Sequence, residues 1–180
     1  YAKKIGAKVY FGDEAAVRSD HHAGTTWAER GKTPVVRSTG QRFSCNMISA
    51  ISPEGTLRFM VTERRMNSEL FCEFLDRLMH GESGHVLLIV DGHPAHRAKA
   101  TKEHLAKFDG RLHLYLLPGY SPELNPDEHV WNWVKNHEIG RKLPKNKSDL
   151  VSMVRRGLAS LQRKTKTLRG FFHDPYLKYI

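Results

Sequence analysis

The sequence HVLLIVD, residues 85–91, is the clearest indication of the fold class. An uninterrupted apolar run of this length is typical of a strand buried on both faces, as in parallel sheets covered by helices. Before it, apolar residues recur at helical spacing from Leu70 to Met79, after a candidate N-cap at Asn67. After it, residues 99–107 are helix-like. The run therefore predicts a buried strand that ends on Asp91 in a sheet packed against helices.

Four further strands are predicted, three before this run and one after it. Residues 8–13 (KVYFGD) are a short β-prone segment, and residues 112–116 (LHLYL) form the last strand. Residues 43–51 and 57–62 flank the turn sequence SPEG, with Pro at its second position and Gly at its fourth. These two segments therefore predict an antiparallel hairpin.

Two helices are expected in the last third of the chain. Pro126 suits the first turn of a helix that continues to about Ile139, and Ser148 can cap a last helix that continues to about Lys164. A hairpin followed by β-α-β predicts an α/β fold, in which a mixed sheet is flanked by helices.

The size and composition favour one ordinary globular domain. A chain of 180 residues can bury a core without disulfides or structural metal. Its two cysteines, Cys45 and Cys72, do not form a CxxC motif, which disfavours a disulfide framework or zinc ribbon and makes a reducing cytoplasm the default compartment. The longest apolar run is far too short for a membrane span, and the first residues are polar and basic rather than a secretory leader. Because the chain begins with Tyr1, we expect it to be part of a longer protein.

Positive charge is concentrated near the end of the chain. The net charge is +10, and residues 135–169 contain eleven basic residues and two acids. Such a segment on a folded body indicates a polyanion partner, with nucleic acid ahead of an anionic membrane, although a solvated surface helix is the alternative. The candidate DNA contacts are Arg141, Lys142, Lys145, Lys147, Arg155 and Arg156.

Three acids fall where an α/β sheet gathers ligands. Asp13 and Asp91 end two predicted strands, and Glu128 lies in the first turn after Pro126. Each acid alone is weak evidence, because such residues more often serve turns and helix dipoles. Together they predict a carboxylate site for Mg²⁺ or Mn²⁺, with two ions able to clamp a phosphodiester.

Three motifs carry a family resemblance. GYSPELNPDEHVW (residues 119–131), VDGHPAH (residues 90–96) and FGDEAAV (residues 11–17) resemble the motifs of DDE transposases of the mariner-like superfamily, especially the bacterial insertion-sequence branch. Trp27 with GKTPVV (residues 31–36) and the SPEG hairpin are also similar to that branch. The resemblance covers residues 8–180 and implies a ribonuclease H-like fold.

The resemblance also implies a site and a reaction. The family's catalytic, metal-binding triad falls on Asp13, Asp91 and Glu128. Its chemistry hydrolyses a phosphodiester at a transposon end with Mg²⁺ or Mn²⁺, and the freed 3′-hydroxyl then attacks target DNA. DNA is the implied partner, dimerisation accompanies synapsis, and the implied location is the bacterial cytoplasm at the nucleoid. The alternatives are a ribonuclease H-like nuclease without strand transfer and a relative that binds DNA without cutting it.

Relatives in this family place helix-turn-helix modules before the catalytic domain. The first predicted strand begins at about residue 8, so we expect that module to be absent here. Residues 1–180 would then be the catalytic domain, with a basic helical segment over about 141–180. We expect such a chain to bind DNA through its phosphates with little sequence preference.

Several neighbours of the three acids are assigned other roles. Glu123 and Asp127 are expected to point away from the site, and Glu14 should face the opposite side of its strand. Trp131 is expected to pack beneath Glu128, three residues away on the helix.

One residue departs from the family pattern, and two histidines lie close to it. The second motif commonly reads Asp-Asn, whereas Gly92 follows Asp91 here and lacks an amide that could orient a ligand. His93 and His96 form only a weak zinc motif, so histidines that are satisfied internally or that contact phosphate are favoured.

Overall fold

A single mixed sheet organises the molecule. The computed structural model describes residues 1–20, 27–32, 41–119, 121–139 and 143–177. The strand order is β3-β2-β1-β4-β5. These strands are β1 (Lys8–Arg18), β2 (Ser44–Ile51), β3 (Leu57–Thr62), β4 (Val86–Val90) and β5 (Leu112–Leu116). β1, β2 and β3 pair antiparallel, whereas β1, β4 and β5 pair parallel, so the predicted hairpin and β-α-β unit are confirmed.

The first strand is longer than predicted. β1 was expected to end at Asp13 but continues to Arg18, because its second half pairs with β2 from Asp13 opposite Ser49 onwards. Its parallel pairing with β4 ends earlier, at Phe11 opposite Ile89. Asp13 therefore lies where β1 separates from β4, and not at the end of a strand.

Seven α-helices surround the sheet in the part of the chain that the structure describes. They are α1 (Ala2–Ile5), α2 (Ser68–Met79), α3 (Pro94–Arg97), α4 (Lys99–Leu105), α5 (Glu128–Val134), α6 (Lys147–Gln162) and α7 (Thr165–Gly170). α5 continues as a π-helical turn over Lys135–Ile139, which matches the predicted extent. The predicted N-cap at Ser148 is wrong, because Asn146 caps α6 by accepting a hydrogen bond from the Asp149 amide.

The sheet packs against helices on both faces. On one face, side chains of β2 and β3 pack with α5 and α6 around Trp131 and Leu158. On the other, Tyr10 and the β4 residues Val86, Leu88 and Val90 pack against α2. Ile89 of β4 faces away from α2 and is only half-buried, so β4, which was predicted to be buried on both faces, is covered more fully on the α2 face.

The structure also bears on membrane-spanning helices and on the two cysteines. Within the described residues, no helix combines the length and apolar character needed to cross a bilayer. Cys45 and Cys72 are both buried free thiols.

Candidate active site

A cleft of about 430 Å³ lies beyond the carboxyl ends of β4 and β5. Asp13, Asp91 and Glu128 all line it, so the fold brings together the three acids singled out in the sequence. The other lining residues are Gly92, His93, Arg97, Leu117, Pro118, Gly119, Ser121, Pro122 and Asn125. Neither Glu123 nor Asp127 lines this cleft.

Asp13 is held by two donors. Its Oδ1 accepts from the Glu14 amide at 2.8 Å, and its Oδ2 accepts from Trp131 Nε1 at 3.2 Å. Burial and, to a smaller extent, repulsion from Glu128 together raise the pKa of Asp13 to about 7, against the lowering effect of these two hydrogen bonds. Trp131, which was expected to pack beneath Glu128, therefore fixes Asp13. This contact could not be predicted from spacing, because 118 positions separate the two residues.

Asp91 is held by a buried histidine. His96 Nδ1 lies 3.0 Å from the main-chain oxygen of Asp91 and 3.1 Å from its Oδ1, while the His93 amide donates to the same carboxylate oxygen at 2.9 Å. The His96 hydrogen bond is the main cause of the lowered pKa of Asp91. The carboxylate of Asp91 is thus kept ionised at the mouth of the cleft.

His96 also contacts Glu14. Its Nε2 lies 2.7 Å from Glu14 Oε1, and its ring packs against Phe71 with centroids 4.3 Å apart. Burial alone would lower the pKa of His96, but the hydrogen bonds with Asp91 and Glu14 outweigh it and raise the pKa to about 10. His96 is therefore a histidine satisfied inside the protein, one of the two roles expected for it.

In the part of the chain that the structure describes, two groups of side chains have the chemistry to hold a divalent cation. Ligand atoms of Glu14, Asp91 and His96 lie within 4.8 Å of one another, but both nitrogens of His96 are already used within the protein. Asp13, Asp91 and Glu128 offer only carboxylate oxygens, which Mg²⁺ and Mn²⁺ prefer. A cation would also relieve the repulsion between Asp13 and Glu128 that raises the pKa of Asp13. Ligand chemistry therefore favours the three acids, whereas Glu14, Asp91 and His96 are the group whose ligand atoms already lie within 4.8 Å of one another in the described part of the chain.

A buried hydrogen-bond network anchors the start of α5. Ser49 Oγ donates to Asp127 Oδ2 at 2.5 Å, the Asp127 amide donates to Asn125 Oδ1, and Asn125 Nδ2 donates to the Gly12 carbonyl at 3.2 Å. These contacts attach the segment before Glu128 to β1 and β2. They also explain why the fully buried Asp127 side chain does not face the cleft.

The ionised carboxylate of Asp127 should destabilise the folded state in a way that the uncharged amide of an asparagine would not. Burial, with repulsion from Asp13 and Glu128, raises the pKa of Asp127 well above its usual range. A carboxyl whose folded-state pKa is raised loses stabilisation as pH rises from its unfolded pKa through the folded one. We expect Asp127→Asn to melt at or above the wild-type temperature at about pH 7.5, with the difference shrinking toward about pH 4. Thermal melts across this range test it, with Glu123→Gln as the exposed control.

A melting temperature for Asp127→Asn that is lower by the same amount at every pH would contradict this account. It would mean that the geometry of the carboxyl group, and not its protonation, matters to the network.

The candidate DNA-binding residues lie partly on the surface of α6. Arg155, Arg156 and Lys145 are exposed, and Lys147 forms an ion pair with Glu63 at 2.8 Å. Arg141 and Lys142 fall outside the described residues. The opposite face of α6, around Val154, packs into the core, so the exposed arginines face solvent.

The sequence of residues 8–151 matches the family model of the DDE superfamily endonucleases. This chain belongs to that family. No curated protein sequence matches the chain significantly.

Solved structures of Mos1 share the fold. The Mos1 strand transfer complex is 14% identical with a TM-score of 0.62, covering 91% of this chain and 54% of that one. The Mos1 mariner paired end complex with Mn is 14% identical with a TM-score of 0.63, covering 99% and 58%. The catalytic domain of Mos1 mariner transposase is 13% identical with a TM-score of 0.53, covering 94% and 85%.

The fold class expected from the sequence agrees with these structures. The five-stranded mixed sheet flanked by helices matches the Mos1 catalytic domain, so the α/β, ribonuclease H-like prediction is confirmed. This DDE endonuclease-family chain spans little more than half the length of the Mos1 chains in the DNA complexes.

Proposed function

We propose that this chain is the catalytic domain of a transposase that cleaves DNA phosphodiester bonds at transposon ends and joins the freed 3′-hydroxyl to target DNA. The observation that carries the proposal is the convergence of Asp13, Asp91 and Glu128 on one cleft of a DDE endonuclease-family fold. The matches to Mos1 structures with a strand transfer complex and paired ends support it. The bacterial insertion-sequence branch and a nucleoid location belong to the same proposal, on the sequence motifs.

In this proposal, Asp13, Asp91 and Glu128 are the catalytic residues and would hold two Mg²⁺ or Mn²⁺ ions. When bound, such ions neutralise charge on the scissile phosphate and lower the pKa of water. Mos1 catalytic-domain structures with Mg and with Mn support the choice of metals.

The protein contributes by holding these acids still. Trp131 and the Glu14 amide orient Asp13, and His96 orients Asp91. The Asn125–Asp127 network fixes the first turn of α5, from which Glu128 projects. Fixed carboxylates reduce the reorganisation needed when substrate binds, which is how positioning accelerates a reaction without a covalent protein intermediate.

DNA binding is proposed to depend on the basic segment of about residues 141–180, within a catalytic domain formed by the whole chain. Exposed Arg155, Arg156 and Lys145 would contact phosphates, with Lys147, Arg141 and Lys142. Two chains would act together on paired ends, as the paired-end complexes of Mos1 suggest.

A strand-transfer assay tests the proposed function. The chain is incubated with a labelled duplex that ends in a precut 3′-hydroxyl and a supercoiled target plasmid, with Mg²⁺ or Mn²⁺. Joined product supports the transposase. Nicked plasmid without joining indicates a nuclease only, and binding with neither reaction in either metal indicates a DNA-binding relative.

Binding by phosphate contacts has a quantitative consequence. We expect affinity for a duplex to fall steeply with salt and to differ little between a terminal-repeat duplex and a scrambled one. Titrations of both duplexes at two salt concentrations check this, with Arg155→Gln and Arg156→Gln expected to reduce the salt dependence. A preference above about tenfold, roughly 1.4 kcal/mol, would show that the catalytic domain reads bases.

A further inference from the structure

Gly92 leaves room for one particular side chain. A Cβ placed on Gly92 would lie 2.6 Å from Nη2 of Arg97 and 3.4 Å from its Cζ. The guanidinium therefore sits directly against the backbone of the residue that follows Asp91. Where the family pattern has Asn after Asp, this chain has no side chain and an arginine fills the space.

Arg97 is a positively charged residue without an ion-pair partner among the described residues. It is the last residue of α3, is exposed, and lines the same cleft as Asp13, Asp91 and Glu128. Within the described residues, no carboxylate forms an ion pair with it, whereas Arg18 pairs with Asp20 and Arg77 with Glu73. A guanidinium at the mouth of an acidic cleft offers planar, paired donors that match phosphate oxygens.

We propose that Arg97 binds a non-bridging oxygen of the DNA phosphate positioned in the cleft, and that Gly92 is required to seat its guanidinium there. This assignment rests on the proposed function, since the phosphate is that of the cleaved DNA. Arg97 would stabilise negative charge on the phosphate as the bond breaks, from the side of the cleft formed by the second acidic motif. Gly92 would act through Arg97, as a positioning residue.

A double-mutant cycle tests the two residues together. Arg97→Gln should lower the rate of metal-dependent cleavage about 10²-fold, as loss of one fixed donor does at other sites. Arg97→Lys keeps the charge and should recover part of this loss. Gly92→Ala should also lower the rate, because its methyl group displaces the end of a flexible side chain and leaves the fold intact. Gly92→Ala combined with Arg97→Gln should be no slower than Arg97→Gln alone.

Lys107→Gln is the matched control. It removes one exposed positive charge beside Phe108, just before β5 begins, at the end of the sheet opposite the cleft. We expect it to cleave at the wild-type rate. Thermal melting of every variant confirms that each is folded before its rate is compared.

The outcomes separate this inference from the function on which it rests. If the wild type cleaves DNA and Arg97→Gln cleaves at the same rate, the inference is wrong but the proposed function stands. The same conclusion follows if the rate losses of the two single variants multiply in the double variant. Absence of cleavage by the wild type in both metals would overturn the proposed function. In that case the duplex affinity decides: a salt slope reduced by about one for Arg97→Gln but not for Lys107→Gln supports the phosphate contact, and equal slopes refute it.

Discussion

Asp91→Asn is expected to reduce DNA cleavage by at least about 10²–10³-fold, and the same holds for Asp13→Asn and Glu128→Gln. Each change keeps the shape of the side chain but removes an anionic oxygen from the cleft that the three acids share. DNA binding should be retained or slightly strengthened, because a negative charge close to the phosphate has been removed. Parallel measurements of plasmid nicking and duplex affinity separate the two effects.

Glu123→Gln is the matched control for these variants. Glu123 is exposed, lies five positions before Glu128 and does not line the cleft, so its amide should cleave at the wild-type rate. If Asp91→Asn cleaves as fast as this control, the triad has been assigned wrongly.

Trp131→Ala is expected to lower the free energy of unfolding by about 3–5 kcal/mol. The indole is 2% exposed and packs in the core between the sheet, α5 and α6. Its loss leaves a cavity and removes the donor to Asp13 Oδ2, so cleavage should fall even where the variant is folded. Urea denaturation followed by circular dichroism measures the stability, and nicking assays at low temperature measure the activity.

Two companion variants separate packing from hydrogen bonding. Trp131→Phe retains most of the apolar contact but cannot donate to Asp13, so it should lose activity with a smaller loss of stability. Trp133→Ala removes a half-buried indole that stacks on His137, and it should cost less stability than Trp131→Ala. Equal stability losses at positions 131 and 133 would contradict the packing described for α5.

Periodicity and turn chemistry predicted the architecture because both are local properties. The apolar run before Asp91, the SPEG turn and the Asn67 cap each depend on residues within a few positions, and all three have the predicted structure. Local sequence patterns did not predict the features that depend on tertiary contacts or that are very short. β1 continues to Arg18 only because β2 pairs with it. The helices α1, α3 and α7 are too short for a helical period to be recognised in the sequence.

The three acids could be predicted from motifs, but the contacts that orient them could not. His96 joins Glu14 across 82 positions and Trp131 joins Asp13 across 118. Glu14 was predicted to face the opposite side of its strand from Asp13, and that prediction did not include the pairing of its carboxylate with the histidine that holds Asp91. Such contacts depend on which strands adjoin in the folded sheet, and residue spacing does not encode that information.

The position of a bound metal ion shows whether Asp13, Asp91 and Glu128 form the metal site. Crystals of the wild-type chain soaked in Mn²⁺ would be measured at a wavelength where manganese scatters anomalously. We expect anomalous density within coordination distance of Asp13, Asp91 and Glu128. In crystals of Glu128→Gln this density should disappear, or only an ion held by Asp13 and Asp91 should remain. Density instead between Glu14, Asp91 and His96, with none near Glu128, would contradict it.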